Sequence, residues 1–200
     1  MRDKALSGVY VDYFNETHGM VRDTMRRFVN EAVKPHIDAW EEAGGFPREI
    51  YPQAGGLGLL SIGHPTEFGG SGEQDVFLKV AASEELMRSG SGGFVASLGS
   101  LDIGLPPVWR TGSDALKARI VPQVLAGEKI IALAITEPSG GSDVANLKTR
   151  AVRDGDHYVV NGSKTFITSG ARADYYTVAV RTGEAGFGGV SLLLIEKDTP

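Results

Sequence analysis

The chain has 200 residues, 27 of them glycine and none cysteine, with 42% hydrophobic side chains, 22% charged ones and a formal charge of -5. That apolar content excludes a disordered chain, and the missing thiols exclude a disulfide scaffold, a thiolate metal site or a cysteine nucleophile. The acidic balance argues against nucleic acid as a partner, because backbone phosphates call for a basic surface.

No apolar run approaches the ~18 residues of a membrane-spanning helix. The opening Met1-Arg2-Asp3-Lys4 has neither the apolar core of a secretory signal nor the Arg/Ser bias of a transit peptide, so a cytoplasmic protein is expected. In chain order, Val21, Met25, Phe28 and Ala32 recur at helical spacing, with Asn15 or Thr17 available as a cap and Pro35 disrupting the far end. Arg22, Arg26 and Arg27 read as a solvated helix face. Pro47 is placed to open a second helix running toward Gly55-Gly56. Glu73 to Arg88 reads as a third, with Val76, Val80 and Leu86 inward, followed by a flexible connector, Ser89-Gly90-Ser91-Gly92-Gly93. Further helices are expected from Phe94 to Ile103 and from Ser113, a possible cap, to Leu125.

Near residue 128 the period shortens toward two. Strands are expected over Ile130–Thr136, Lys148–Val152, Tyr158–Val160, Lys164–Thr168, Tyr175–Val180 and Val190–Ile195, with Asn161-Gly162 as a hairpin turn. The fold class is therefore an all-α domain, 1–127, followed by an antiparallel, barrel-like β domain, 128–200. The second domain reads as incomplete, so the sequence is expected to belong to a longer protein. His18, His36, His64 and His157 have no metal-ligand spacing, and no metal site is expected.

Two segments stand out chemically. In Leu133-Ala134-Ile135-Thr136-Glu137-Pro138-Ser139-Gly140-Gly141-Ser142-Asp143 a strand ends in a hydroxyl and a carboxylate and enters a small-residue loop. Such a loop lets main-chain N–H groups approach an anion or extended cofactor, although alone it is also ordinary turn chemistry. In Asn161-Gly162-Ser163-Lys164-Thr165-Phe166-Ile167-Thr168-Ser169-Gly170 an aromatic ring sits among hydroxyls, suited to a planar ring or to a plain hairpin. Together, Thr136-Glu137-Pro138-x-x-Gly141-Ser142-Asp143 and Asn161-Gly162-x-Lys164-x-Phe166-Ile167-Thr168-x-Gly170 resemble the acyl-CoA dehydrogenase family. Val33-Lys34-Pro35, Gly56-Leu57-Gly58-Leu59-Leu60 and Pro65-x-x-Phe68-Gly69-Gly70 extend the resemblance over nearly the whole chain, and it turns both segments from turn chemistry into site candidates.

The resemblance implies a helical domain, a β domain and then a helical bundle that this sequence lacks. It implies FAD as cofactor, with Leu133, Ile135, Thr136, Gly141 and Ser142 along one side of the flavin and Phe166, Ile167 and Thr168 along the other. Thr168 would lie near the hydride-accepting nitrogen, and most members carry Trp where this chain has Phe166. Ser142 would also meet the acyl-CoA, and Val95, Ala96 and Gly99 would line the acyl chain, although small residues there equally suit close helix packing. The implied reaction is α,β-dehydrogenation of acyl-CoA thioesters in fatty-acid or branched-chain catabolism, with electrons passed to an electron-transferring flavoprotein, by a homotetramer or homodimer. The catalytic base would lie beyond residue 200, leaving Glu137 to orient its loop. An oxygen-using oxidase on the same fold and a non-catalytic acyl-CoA-binding protein are the alternatives.

Overall fold

In the computed structural model, which describes residues 13–72 and 75–200, the first helix starts where Asn15 caps it. Met1–Lys4 and Glu73, used in the sequence reading, lie outside the described residues. The Asn15 side chain accepts from the His18 amide, and His18 Nδ1 accepts in return from the Asn15 amide at 2.9 Å. Helix α1 (Glu16–Phe28) buries His18, Met25 and Phe28. Pro35 offers no N–H to the turn before it, and the chain passes through a π turn (Val29–Val33) and a 3-10 turn (Lys34–His36) before α2 (Ile37–Glu42).

Four expectations change here. The Arg22/Arg26 face is not simply solvated: α1 packs on α4 (Val76–Leu86), where Arg26 forks onto buried Glu85 with Nε at 3.0 Å and a terminal nitrogen at 2.5 Å. Arg22 pairs with Glu84. On α4 the inward residues are Leu78, Ala81, Ala82, Glu85 and Leu86, while Val76, the first helical residue after the Asp75 cap, is exposed. The Ser89–Gly93 connector is ordered. Ser89 and Ser91 are buried, and Ser91 Oγ accepts from the Phe94 amide at the start of α5 (Gly92–Leu98). The second expected helix begins later than Pro47, as α3 (Ile50–Gly56).

The chain forms two compact units. One holds the described residues up to Val95 together with Leu125–Gly127; the other holds Ala96–Val124 and Glu128–Pro200. The expected Phe94–Ile103 helix is broken at Gly99-Ser100 into α5 and α6 (Leu101–Gly104), and α7 (Pro106–Thr111) and α8 (Asp114–Leu125) follow. In the second unit, β1 (Ile131–Ala134), β2 (Arg150–Asp154), β3 (His157–Asn161), β4 (Tyr175–Arg181) and β5 (Val190–Glu196) form one sheet that does not close.

Strand β4 is its centre. Strand β5 runs antiparallel along one edge; β1 runs parallel along the other up to Val178, and β2 meets that edge at Arg181. The parallel contacts temper the antiparallel expectation: β1 and β4 are joined by a long crossover containing the β2–β3 hairpin. That hairpin turns at Gly155-Asp156, with Gly155 at φ 58, and not at Asn161-Gly162. Residues Lys164–Thr168 are loop, not strand.

Alternation divides the central strand between two faces. Thr177 bonds the Gly104 carbonyl at 2.7 Å, and Ser100 bonds the Ile131 carbonyl at 3.0 Å, so α6 rides on one face. Val178 and Val180 point to the other and pack with Ala134 and Ala151. Thr177→Val keeps the shape but leaves the buried Gly104 carbonyl unpaired, and a loss of about 1–3 kcal/mol is expected in urea unfolding.

Candidate functional site

The crossover from β1 to β4 brings the two sequence segments together. The first leaves the C-terminal end of β1; the second leads from β3 back toward β4. The Thr165 amide donates to the Thr136 carbonyl at 3.0 Å and joins them. The first segment reverses tightly, with Glu137 and Gly140 exchanging two main-chain bonds of 3.0 Å. Beyond that turn Gly140, Gly141, Ser142 and Asp143 are exposed, and the amides of Gly141 and Ser142 donate to no group among the described residues. A β-carbon on Gly141 would stand 3.3 Å from the Thr136 methyl, so the hydroxyl residue and the glycine lie against each other.

Beneath the loop, Glu137 is buried and fully engaged. Its carboxylate accepts from the Lys148 amide at 2.7 Å, the Thr149 amide at 2.8 Å and the Lys164 ammonium at 3.0 Å. Lys164 also donates to the Ile135 carbonyl at 2.8 Å. Burial pushes the carboxyl up, but the Thr149 side chain beside it, the two amides and Lys164 together bring it down to about 2. The Thr149 hydroxyl makes no well-formed hydrogen bond, so the two amides and Lys164 are the partners that hold the charge. A carboxylate held this far down cannot take a proton from a weak carbon acid near neutrality; its chemistry is to hold three segments in place.

The second segment crosses the open face of the sheet in a strained conformation. Phe166 has φ 55 and Ser169 φ 62, both in the left-handed region that a bulky side chain rarely adopts. Each such residue costs roughly 1–3 kcal/mol and persists only where its surroundings enforce it. Here they do: Tyr176 Oη bonds the Gly170 and Ala173 carbonyls at 2.8 and 3.1 Å, and Ser169 Oγ bonds the Ser97 carbonyl at 3.3 Å. The result is an aromatic ring that is 91% exposed, above main-chain amides of Ile167 and Thr168 that have no donor role among the described residues. Ala134, Tyr176 and Val178 floor an open cleft of about 470 Å3, and Lys164–Ile167, Gly170 and Ala171 wall it.

The candidate residues are thus placed unevenly. Thr136, Gly141 and Ser142 follow β1, Leu133 and Ile135 flank its end, and Phe166, Ile167 and Thr168 stand on the strained loop, all within the second unit. Ala96 and Gly99 border Ser97, which Ser169 touches, whereas Val95 belongs to the first unit. Among the described residues no three His, Asp or Glu side chains are grouped to hold a metal.

Known proteins account for this arrangement. The family model for the acyl-CoA dehydrogenase N-terminal domain matches residues 15–128, and that for the middle domain matches 132–200. The chain belongs to the acyl-CoA dehydrogenase family. It is 36% identical to an isobutyryl-CoA dehydrogenase of Dictyostelium discoideum over 86% of its own length and 41% of that protein's. A probable acyl-CoA dehydrogenase of Mycobacterium abscessus superposes with a TM-score of 0.90 at 48% identity, over 94% of this chain and 50% of that one. A glutaryl-CoA dehydrogenase of Mycobacterium smegmatis, solved in complex with FADH2, superposes with a TM-score of 0.84 at 30% identity, over 95% of this chain and 48% of that one. The chain thus spans about half the length of the relatives it matches.

Within this acyl-CoA dehydrogenase fold, three residues escaped the sequence reading. Lys164 reads as a motif position but acts as a buried cation whose side chain is 11% exposed. Thr149 reads as strand and sits against the Glu137 carboxylate. Arg181, the last residue of β4, gave no signal beyond its position.

Proposed function

We propose that this chain supplies the flavin-facing wall of an FAD-dependent enzyme that dehydrogenates acyl-CoA thioesters. The observation that carries the proposal is the exposed, strained Phe166 loop, tied through Thr165 to Thr136 just past β1 and standing beside an open cleft. The donor set fits a flavin. Spare main-chain N–H groups and hydroxyls suit its polar edge, an unburied aromatic ring suits its face, and bare Gly141 beside Thr136 admits close approach of a ligand. The FADH2 complex of the glutaryl-CoA dehydrogenase relative supports the same cofactor class.

Leu133, Ile135, Thr136, Gly141 and Ser142 would hold one side of FAD, and Phe166, Ile167 and Thr168 the other. Bound there, FAD supplies a two-electron acceptor for the hydride leaving the thioester β carbon as the α carbon loses its proton. This chain's residues orient and enclose; Thr136 and Thr168 would offer hydroxyls to the flavin ring, and Ser142 would face the thioester's carrier group. Glu137 is engaged by two amides and Lys164 and is left to orient its loop, and the family resemblance implies an α-proton base outside residues 1–200. Val95, Ala96 and Gly99 would line the acyl chain. The reading keeps a helical domain over 1–127 and a flavin-contacting β domain over 128–200; family-model matches at 15–128 and 132–200 support it. A cytoplasmic homotetramer or homodimer passing electrons to an electron-transferring flavoprotein completes the reading.

Phe166→Ala tests the cofactor wall. The ring is almost wholly exposed and the left-handed backbone does not favour it, so the unfolding midpoint is expected to stay within about 2 °C. FAD affinity of the full-length protein is expected to fall about tenfold, read by fluorescence titration. An unchanged FAD affinity would remove this loop from the site.

A further inference from the structure

Arg181 makes an unusual set of contacts. Its guanidinium donates to four main-chain carbonyls: Nε to Leu147 at 3.1 Å, one terminal nitrogen to Glu184 at 2.6 Å and Gly186 at 3.2 Å, and the other to Ala145 at 2.6 Å. These carbonyls belong to two loops, the one that carries Gly141 and Ser142 and the one that joins β4 to β5. The second loop folds closely about the cation: a β-carbon at Gly189 would fall 2.9 Å from the guanidinium and 1.8 Å from the Glu184 carbonyl, and Gly186 has φ 89. A planar fork of five donors serves all four carbonyls on the two loops at once; an ammonium, with three donors at one point, cannot.

The two charges of this region grip one peptide from opposite sides. The Leu147 carbonyl points to Arg181, and the N–H of the same peptide plane, on Lys148, points to Glu137 at 2.7 Å. The loop between Glu137 and Leu147 is therefore pinned at both ends, by a buried anion at one and by a carbonyl-solvated cation at the other. Its middle, Gly140–Asp143, stays exposed.

We propose that Arg181 is a positioning residue that preorders the Ser142 loop for the phosphate-bearing carrier half of the thioester substrate. This rests on the reading under Proposed function. The guanidinium has no carboxylate partner among the described ion pairs, and Asp143 and Glu184 stand on the same two loops, so the attraction for an anionic ligand is assigned to the spare Gly141 and Ser142 amides that Arg181 holds in place. A loop that must order on binding weakens affinity without altering the chemical step, so the effect belongs in KM and not in kcat.

The test uses the full-length protein with Arg181→Lys and Arg181→Gln. Substrates are the fastest-turned-over member of a butyryl- to palmitoyl-CoA series and the matching pantetheine thioester, which lacks the nucleotide. Arg181→Lys is expected to raise KM for the CoA thioester about tenfold or more, with kcat within about threefold and KM for the pantetheine thioester within about twofold. Equal changes for both thioesters, or no change for either, would overturn the assignment and leave Arg181 a purely structural residue. Hydrogen exchange on the same variants supplies a readout that needs no turnover: the amides of residues 141–146 are expected to exchange about tenfold faster or more in Arg181→Lys. Unchanged exchange overturns the proposal even if wild type turns over acyl-CoA. An inactive wild type with faster exchange in the variant overturns the substrate reading instead and keeps the loop-ordering role.

Discussion

Glu137→Gln is expected to cost on the order of 3 kcal/mol at pH 7 and to remove most of the acid sensitivity of the second unit's stability. The carboxylate is 5% exposed and takes hydrogen bonds from two amides and one buried ammonium. A neutral amide keeps the shape but leaves Lys164 as a buried, unpaired cation. The pH dependence has a definite sign. The folded carboxyl titrates at about 2, below its ordinary value of 4.5, so the stabilisation is fully present above pH 4.5 and is lost as pH falls through about 2. Urea unfolding at pH 7, 4.5 and 2.5 should show this loss in wild type and a flatter profile in Glu137→Gln. Lys164→Met tests the partnership: the double variant should be less destabilised than the sum of the singles, since removing both charges leaves neither one orphaned. Additive effects would mean that the pair is not coupled.

Gly162→Ala is expected to be nearly as damaging, with a loss of about 3 kcal/mol. An added β-carbon would stand 2.4 Å from the Thr149 hydroxyl oxygen and 2.6 Å from its Cα and Cβ. Main-chain Cα atoms cannot swing aside, so the β2 end and the Lys164 loop must separate, and the Glu137 cluster with them. Thr149→Ala removes the nearest atom but not the Cα, and only partial rescue by the double variant is expected. Full rescue would place the clash in the hydroxyl alone; no loss in Gly162→Ala would show that the loop shifts freely.

The same glycine shows where a sequence reading succeeds and where it fails. Asn161-Gly162 has the letters of a hairpin turn, yet Gly162 is not in the left-handed region; it is needed because Thr149 presses on it. The real turn, Gly155-Asp156, lies between a charged stretch, Arg153-Asp154, and a strand, His157–Asn161, that carries little alternation. Contact from thirteen positions upstream leaves no local trace, whereas period and capping do. That is why Asn15, α8 and the strands β4 and β5 were legible from the residues. The two signature segments were legible too, but their union depends on the Thr165–Thr136 bond and the parallel β1–β4 register, which are long-range facts. Helix pairing likewise turned a solvated-looking arginine face into the Arg26–Glu85 fork. Arg181 was silent for another reason: its partners are main-chain carbonyls, which every sequence contains.

The most direct test of the flavin-wall assignment is an anaerobic spectral titration of the full-length protein, reconstituted with FAD, against acyl-CoA thioesters of graded chain length. The expected result is a bound flavin spectrum that bleaches with one class of acyl-CoA and, on re-admission of oxygen without another acceptor, recovers slowly. Rapid recovery with peroxide release would point to the oxidase instead, and a protein that binds no FAD would contradict the assignment of the Thr136 and Phe166 segments altogether.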